Sequence, residues 1–177
     1  MEEILKKLSY ALANVSAMIG GLTLLAIILM TVASVIGRAL VPLGLGPVPG
    51  DYEITEMAIA FVIFCFLPLC QLVAGHATVD VFTSGMGQRT NLILLGIWEV
   101  ALTATMIFVA WRLSHGFMDK LENNEISMLL AIPAWWGYFA ALFPASVGVI
   151  VGVWSAYDRV ITAVSGKVTR TIEGANH

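Results

Sequence analysis

Residues 17–37 read AMIGGLTLLAIILMTVASVIG, a run of 21 residues without a charged side chain. An α-helix needs about 20 consecutive, mostly apolar residues to cross the hydrocarbon core of a bilayer. The apolar part of a secretory signal peptide is shorter, at about 7–15 residues. The run therefore predicts a membrane-spanning helix that is retained in the protein.

Three more apolar stretches of similar length predict further spans at about 54–74, 92–111 and 134–156. The composition agrees, since 59% of the 177 residues are hydrophobic and 12% are charged, whereas soluble domains carry about 25% charged residues. Four spans and their connections leave no room for a separate soluble domain. The predicted fold class is all-α, a polytopic membrane protein with four transmembrane helices that forms a single membrane domain over residues 1–177.

The N-terminal residues 1–16 have a different pattern from the spans. Ile4, Leu8 and Leu12 recur at helical spacing, and two lysines fall on the other side of such a helix. The pattern predicts a short amphipathic N-terminal helix at the membrane surface or the hydrated first turns of the first span.

The distribution of lysine and arginine predicts the orientation, because cytoplasmic loops are enriched in both residues. With the N-terminus inside, the cytoplasmic side holds Lys6, Lys7, Arg89, Arg159, Lys167 and Arg170, and the opposite side holds Arg38, Arg112 and Lys120. Both termini are therefore expected in the cytoplasm (N-in/C-in), with residues 157–177 as a cytoplasmic tail.

Several function classes are disfavoured by composition and residue spacing. The net charge of −3 provides no basic field of the kind that nucleic acids require. Cys65 and Cys70 lie at i, i+5 on different faces of one predicted span, so they do not form a metal cage. The sequence contains no Ser-His-Asp, paired-carboxylate or metal-ligand constellation within membrane-accessible geometry. The chain is not expected to be an enzyme or to hold a cofactor.

Glu99 is a charged residue well inside the third predicted span. A carboxylate within the membrane is costly enough to need a partner, water or a proton. One interpretation is a proton or cation relay, as in a stand-alone small four-helix proton-coupled exporter. The other is a structural carboxylate that binds a neighbouring helix or a partner subunit.

Histidines raise a third class, the membrane anchor of a redox complex, because such anchors hold haem between histidines on two helices. His76 follows the second span on the inner side, and His115 follows the third span on the outer side. About a bilayer thickness separates the two, so they are not expected to ligate one iron.

The outer hairpin between the first two spans contains opposite charges. Arg38 ends the first span, and Glu53 and Glu56 begin the second. The guanidinium is expected either to pair with one of these carboxylates, Glu56 in particular, or to be solvated separately from them. At the start of the fourth span, Trp135 belongs to a group of aromatic residues that is typical of a membrane–water interface.

Three segments together resemble the small membrane subunit of tripartite ATP-independent periplasmic (TRAP) transporters. The first is Gly37-Arg38 followed by a proline-containing hairpin and Glu53-x-x-Glu56. The second is the G-H-x-x-V-D pattern from Gly75 through His76 to Asp80. The third contains Ile132-Pro133-Ala134-Trp135 and the run from Tyr138 to Pro144. Order and spacing carry the resemblance, which covers nearly the whole chain.

The resemblance implies a role in a bacterial inner membrane. In that family, a separate large multi-span permease carries the substrate and sodium sites. A periplasmic solute-binding protein delivers an organic acid, and the sodium gradient drives uptake. The small subunit is expected to brace the large one, to contribute to docking, and to bind neither substrate nor sodium itself. His76 and Asp80 lie at i, i+4 if the second helix continues, so they are expected either to pair or to be solvated loop residues.

Overall fold

A computed structural model describes residues 2–73 and 88–165 of the chain. Over these residues the fold consists of four long α-helices without a β-strand: α1 (Glu2–Ala39), α2 (Asp51–Leu72), α3 (Gln88–Glu122) and α4 (Trp135–Ser165). Each helix contains a stretch that is long and apolar enough to cross a membrane. The predicted all-α class with four spans is confirmed.

The amphipathic N-terminal segment is continuous with the first span. α1 runs without a break from Glu2 to Ala39, so residues 2–16 are the first turns of this helix, which is one of the two forms predicted for them. A helix of this length is about 57 Å long, well beyond the roughly 30 Å of a bilayer core. Part of α1 therefore lies in the interface or beyond it.

α1 and α2 form an antiparallel pair joined by a tight connection. The connection contains a 3₁₀ turn at Val41–Leu43, and Gly50 precedes α2 with a positive φ of 71°. A Cβ atom on Gly37 would lie 2.1 Å from the carbonyl oxygen of Gly46, so this close approach of two backbone segments requires glycine.

α3 and α4 form a second antiparallel pair. Near the ends of this pair, the ring of Tyr138 packs directly on Gly116, where an added Cβ would approach it to 2.7 Å. The connecting loop folds back on itself through a β-bridge between Ile126 and Pro133.

α4 occupies the central position among the four helices. It packs on α3, on α2 and on the N-terminal part of α1. Half of its most apolar stretch is buried, against 17–22% for the corresponding stretches of the other helices. Gly148 and Gly152 permit this packing, because Met106 of α3 and Gln71 of α2 occupy the space where their side chains would be.

Candidate functional site: polar clusters at the two ends of the helices

An ion pair joins α1 to the start of α2 at the end of the helices that is predicted to face outward, called the outer end below. Arg38 Nη2 lies 2.6 Å from Asp51 Oδ2, and the hydroxyl of Ser34 donates to the same carboxylate oxygen. Ser34 in turn accepts the amide N–H of Val48 at 3.3 Å. The cluster therefore ties α1, the connecting loop and α2 together.

The prediction that Arg38 pairs with Glu53 or Glu56 is wrong about the partner, which is Asp51. The reason lies in the rotation of α2, since successive residues are about 100° apart around a helix. With Asp51 turned towards α1, Glu53 lies about 200° further round and Glu56 about 140° further round. Neither carboxylate is on the face that meets Arg38.

Glu53 binds the loop between α3 and α4. Its two oxygens accept the amide N–H groups of Leu129 and Leu130 at 2.8 and 3.0 Å, bonds that span more than 70 residues of sequence. Leu130 also packs against Gly50, just before α2. These contacts attach the loop to α2, although nothing in the spacing of the sequence indicates them.

The loop has further internal bonds. The amide of Ser127 donates to the carbonyl of Ile132 at 2.8 Å, and the amide of Ala134 donates to the carbonyl of Glu125 at 2.8 Å. Lys120, in the last turn of α3, forms an ion pair with Glu125. Pro133 participates through its bridge with Ile126. The loop is therefore an ordered element, bonded internally, to the end of α3 through Lys120, and to α2 through Glu53.

Trp135 lies at the beginning of α4 and packs against α3. Its ring is 6.2 Å from that of Phe117 and 6.5 Å from that of Phe139, both in edge-to-face orientation. Trp136 is 55% exposed beside it. The aromatic group thus packs α3 against α4 at their outer end. Trp136 exposes its ring, as an interfacial anchor would.

Glu56 is exposed on α2. Among the described residues, it forms neither a hydrogen bond nor an ion pair. Glu56 is therefore available to a group outside the described part of this chain.

The opposite end of the helices, which is predicted to face inward and is called the inner end, contains a buried ion pair. Glu99 of α3 is 3% exposed, and its Oε2 lies 3.4 Å from Nε of Arg159 on α4. The other oxygen, Oε1, is buried and has no hydrogen-bond partner within the described residues. The counter-charge favours the structural interpretation of Glu99 over a relay, because the arginine beside the carboxylate compensates its charge.

A chain of hydrogen bonds lies one turn deeper in the membrane than this ion pair. Gln71 Nε2 of α2 donates to Thr103 Oγ1 of α3 at 2.8 Å, and the Thr103 hydroxyl donates to the carbonyl of Gly152 on α4 at 3.1 Å. All three helices are thus joined at one level. Thr103 follows Glu99 by one helical turn, a spacing that puts both on one face.

The sequence indicates Glu99 as a charge inside a span, but it does not reveal the partner Arg159 or the hydrogen bond between Gln71 and Thr103 one turn away. In the sequence, Arg159 contributes only to the lysine and arginine distribution that predicts orientation. A signal existed, because polar residues at i, i+4 inside an apolar helix predict one shared polar face.

The expected separation of His76 and His115 and the expected pairing of His76 with Asp80 stay predictions. His76 and Asp80 lie outside the described residues. The His115 ring lies 4.6 Å from that of Trp111. Within residues 2–73 and 88–165, no cluster of three or more His, Cys, Asp or Glu side chains has the arrangement of a metal site.

The fold and the two clusters define a multi-pass α-helical membrane protein whose polar side chains join helices to one another and to a folded loop. The family model described as tripartite ATP-independent periplasmic transporters, DctQ component, matches residues 27–163. The chain belongs to this family, as its resemblance predicted, and is a small membrane subunit of a TRAP transporter. The family is a transporter component and not an enzyme family. Neither the comparison with curated proteins nor that with solved structures finds a match.

Proposed function

We propose that this chain braces the large permease subunit of a sodium-driven TRAP transporter in a bacterial inner membrane, and that a periplasmic binding protein delivers an organic acid to the complex. Family membership supports this proposal, and so does the distribution of charge. The buried carboxylate Glu99 faces Arg159 within the chain, so it provides no open polar path for an anion. A brace requires rigid helices and apolar surface.

The observation that carries the proposal is a stripe of exposed apolar side chains on α1. Each member is at least 50% exposed: Met18, Leu22, Leu25, Leu29, Val32 and Ile36. The stripe lies opposite the face of α1 that contains the buried residues Ile27 and Ser34. Its alternating spacing of four and three residues is the pattern with which two helices pack side by side. We infer that one helix of the large subunit lies along it.

The outer surface has features suited to the docking of another component of the transporter. Glu56 is unpaired within the described residues. Met128 and Leu129 are 99% and 72% exposed on the loop that Glu53 holds. A rigid loop with exposed apolar tips, next to a free carboxylate, presents a preformed surface to another protein at low entropic cost.

Site-specific photo-cross-linking tests the brace. A photoreactive phenylalanine analogue at Leu29 is expected to capture the large permease, identified by mass spectrometry of the adduct. Its neighbour Ile28 is the matched control, because it is 49% exposed at the same depth but lies about 100° away around the helix. Ile28 should cross-link to that subunit much less.

Other outcomes would support other functions. An adduct with a second copy of this chain at Leu29 would favour the stand-alone exporter. Equal capture of the large subunit at both positions would contradict the proposal that its helix lies along the stripe. Proteoliposomes containing all three components test the transport itself: an imposed sodium gradient should drive uptake of an organic acid, and omission of this chain should abolish it.

A further inference from the structure

A polar pocket lies at the outer end of α3, where the apolar run of this helix ends. Trp111 is the last residue of that run, Arg112 follows it, and further charged residues occur before the helix ends at Glu122. The pocket has a volume of about 350 Å³, within the range of ligand-binding clefts. Its lining contains two opposite charges, those of Arg112 and Asp119.

The two charged residues lie on one line along α3. They are seven residues apart, so they lie within about 20° of each other around the helix and about 10 Å apart along its axis. Gly116 lies between them, about one turn from each, and has no side chain to fill the space. The ring of Tyr138 packs on this glycine and lines the same pocket. A cation and an anion therefore border one cavity.

Both charges are available to a ligand. Arg112 and Asp119 are exposed, and neither forms a hydrogen bond or an ion pair within residues 2–73 and 88–165. His115 also lines the pocket, and its Nδ1 donates to the carbonyl oxygen of Trp111 at 3.0 Å, because a carbonyl only accepts. In the neutral ring, Nε2 is then a hydrogen-bond acceptor.

The order of the charges along α3 is that of a zwitterionic phospholipid. Arg112 lies next to the apolar run, and Asp119 lies two turns further from it. In phosphatidylethanolamine, the phosphate lies next to the acyl region and the ammonium group ends the headgroup. Val109, inside the apolar run, lines the pocket on its membrane side, where the acyl chains would continue.

We propose that this pocket binds one molecule of phosphatidylethanolamine, with the phosphate at Arg112 and the ammonium group at Asp119. The guanidinium donates charge-assisted hydrogen bonds to the phosphate, and the carboxylate accepts them from the ammonium group. Phosphatidylglycerol supplies no cation for the carboxylate. The quaternary ammonium group of phosphatidylcholine has no N–H to donate. The two lining charges together therefore select a primary amine on a phosphate ester.

Native mass spectrometry of the full chain tests this selection. The detergent solution contains equal amounts of phosphatidylethanolamine, phosphatidylcholine and phosphatidylglycerol with the same acyl chains. The chain should retain phosphatidylethanolamine about fivefold better than either competitor, the upper range for one exposed charged pair. Equal retention of the three lipids would overturn the proposal.

Neutralising one acid at a time separates the pocket from general surface charge. Asp119→Asn should reverse the preference, because Arg112 remains and attracts the anionic phosphatidylglycerol. Glu122→Gln is the matched control: it removes the same charge from an exposed acid that does not line the pocket. This control should keep the preference for phosphatidylethanolamine. The same change of preference in both variants would overturn the proposal.

The phosphate contact is tested at the arginine. Arg112→Gln should reduce retention of phosphatidylethanolamine about fivefold, whereas Arg112→Lys, which keeps the charge, should retain most of it. Because the side chain is exposed, both variants should melt like the unmodified chain in circular dichroism. Undiminished retention by Arg112→Gln would overturn the proposal.

A carbodiimide tests the ammonium contact in a bilayer, since it couples a carboxylate to a primary amine as an amide and takes up the water as a urea. In phosphatidylethanolamine vesicles, peptide mass spectrometry should find the lipid amide at Asp119, and Arg112→Gln should lower its yield. An unchanged yield in Arg112→Gln would overturn the proposal.

A soluble zwitterion is the other source of the same chemistry. Glycerophosphoethanolamine carries the headgroup without acyl chains, and at an equal concentration it should not displace the bound lipid. Displacement would overturn the assignment to a phospholipid. All of these measurements use this chain alone, so their outcome is independent of whether the large permease binds the α1 stripe.

Discussion

In the buried pair of Glu99 and Arg159, replacing the arginine should destabilise the protein more than replacing the glutamate. Unit charges 3.4 Å apart attract by about 5 kcal/mol at an effective dielectric constant of 20, and desolvation offsets much of this. The side chain of Glu99 is 4% exposed and that of Arg159 is 21% exposed. After loss of the arginine, the carboxylate would stay almost fully buried without a counter-charge.

Arg159→Met is therefore expected to destabilise the chain by about 3–5 kcal/mol, the usual cost of an unpaired buried charge. Glu99→Leu should cost less, about 1–2 kcal/mol, because the long arginine side chain can extend towards the interface. The double variant should be more stable than Arg159→Met alone, since it contains no orphaned carboxylate.

Reversible unfolding in mixed detergent micelles, followed by circular dichroism, measures all four free energies of the double-mutant cycle. Glu99→Gln is the matched control for shape, and it should leave uptake by the assembled complex largely intact. If the two single variants cost the same and their effects add in the double variant, the pair is not coupled and the reasoning fails. If Glu99→Gln abolished transport in an assembled complex, a relay would be the better explanation.

Three further predictions concern the outer end. Gly37→Ala should destabilise the α1–α2 pair by more than about 1 kcal/mol, because its Cβ would meet a backbone carbonyl at 2.1 Å, while Gly21→Ala, with no atom within 4 Å, should be neutral in the same thermal melts. Arg38→Asp should lower thermal stability by less than about 1 kcal/mol, since the arginine side chain is 59% exposed, and adding Asp51→Arg should restore part of it. Glu53→Ala should speed amide hydrogen exchange in the loop between α3 and α4, measured by mass spectrometry.

The controls for the last two predictions use Glu56, which forms no hydrogen bond or ion pair with Arg38 or the loop among the described residues. Adding Glu56→Arg to Arg38→Asp should restore nothing. If it restored as much as Asp51→Arg, the effect would reflect net charge and not the pair. Glu56→Ala should leave exchange at Leu129 and Leu130 unchanged. Unaltered exchange in Glu53→Ala would show that other contacts suffice to hold the loop.

Helix number and class could be predicted because they depend on length and polarity alone. In lipid, each backbone N–H and C=O must be bonded within the protein, so an apolar run of about 20 residues adopts a helix whatever its neighbours are. Residues 17–37 satisfy this condition without any tertiary information. The continuity of α1 back to Glu2 was less evident, because an amphipathic segment suits both a surface helix and the first turns of a span.

The tertiary structure was needed to identify the partners of the charged residues. The sequence placed an arginine at the end of the first span and acids at the start of the second, but the choice of Asp51 over Glu56 depends on the rotation of α2 about its axis. Hydropathy does not specify that rotation, because residues 57–70 of α2 are apolar on every side. The turn at Gly50, with its positive φ, sets where the helix begins and therefore which carboxylate faces α1.

The sequence by itself determined that this chain is a four-span α-helical membrane protein of the TRAP small-subunit type, since hydrophobic length and a few ordered motifs are local properties. Only the tertiary structure decided that Glu99 faces Arg159, that Gln71 and Thr103 lie one turn deeper, and that α4 is the central helix. These features depend on the depth and rotation of one helix relative to another. Close packing of small residues such as Gly148 against distant side chains sets both, and that packing is a property of the folded chain.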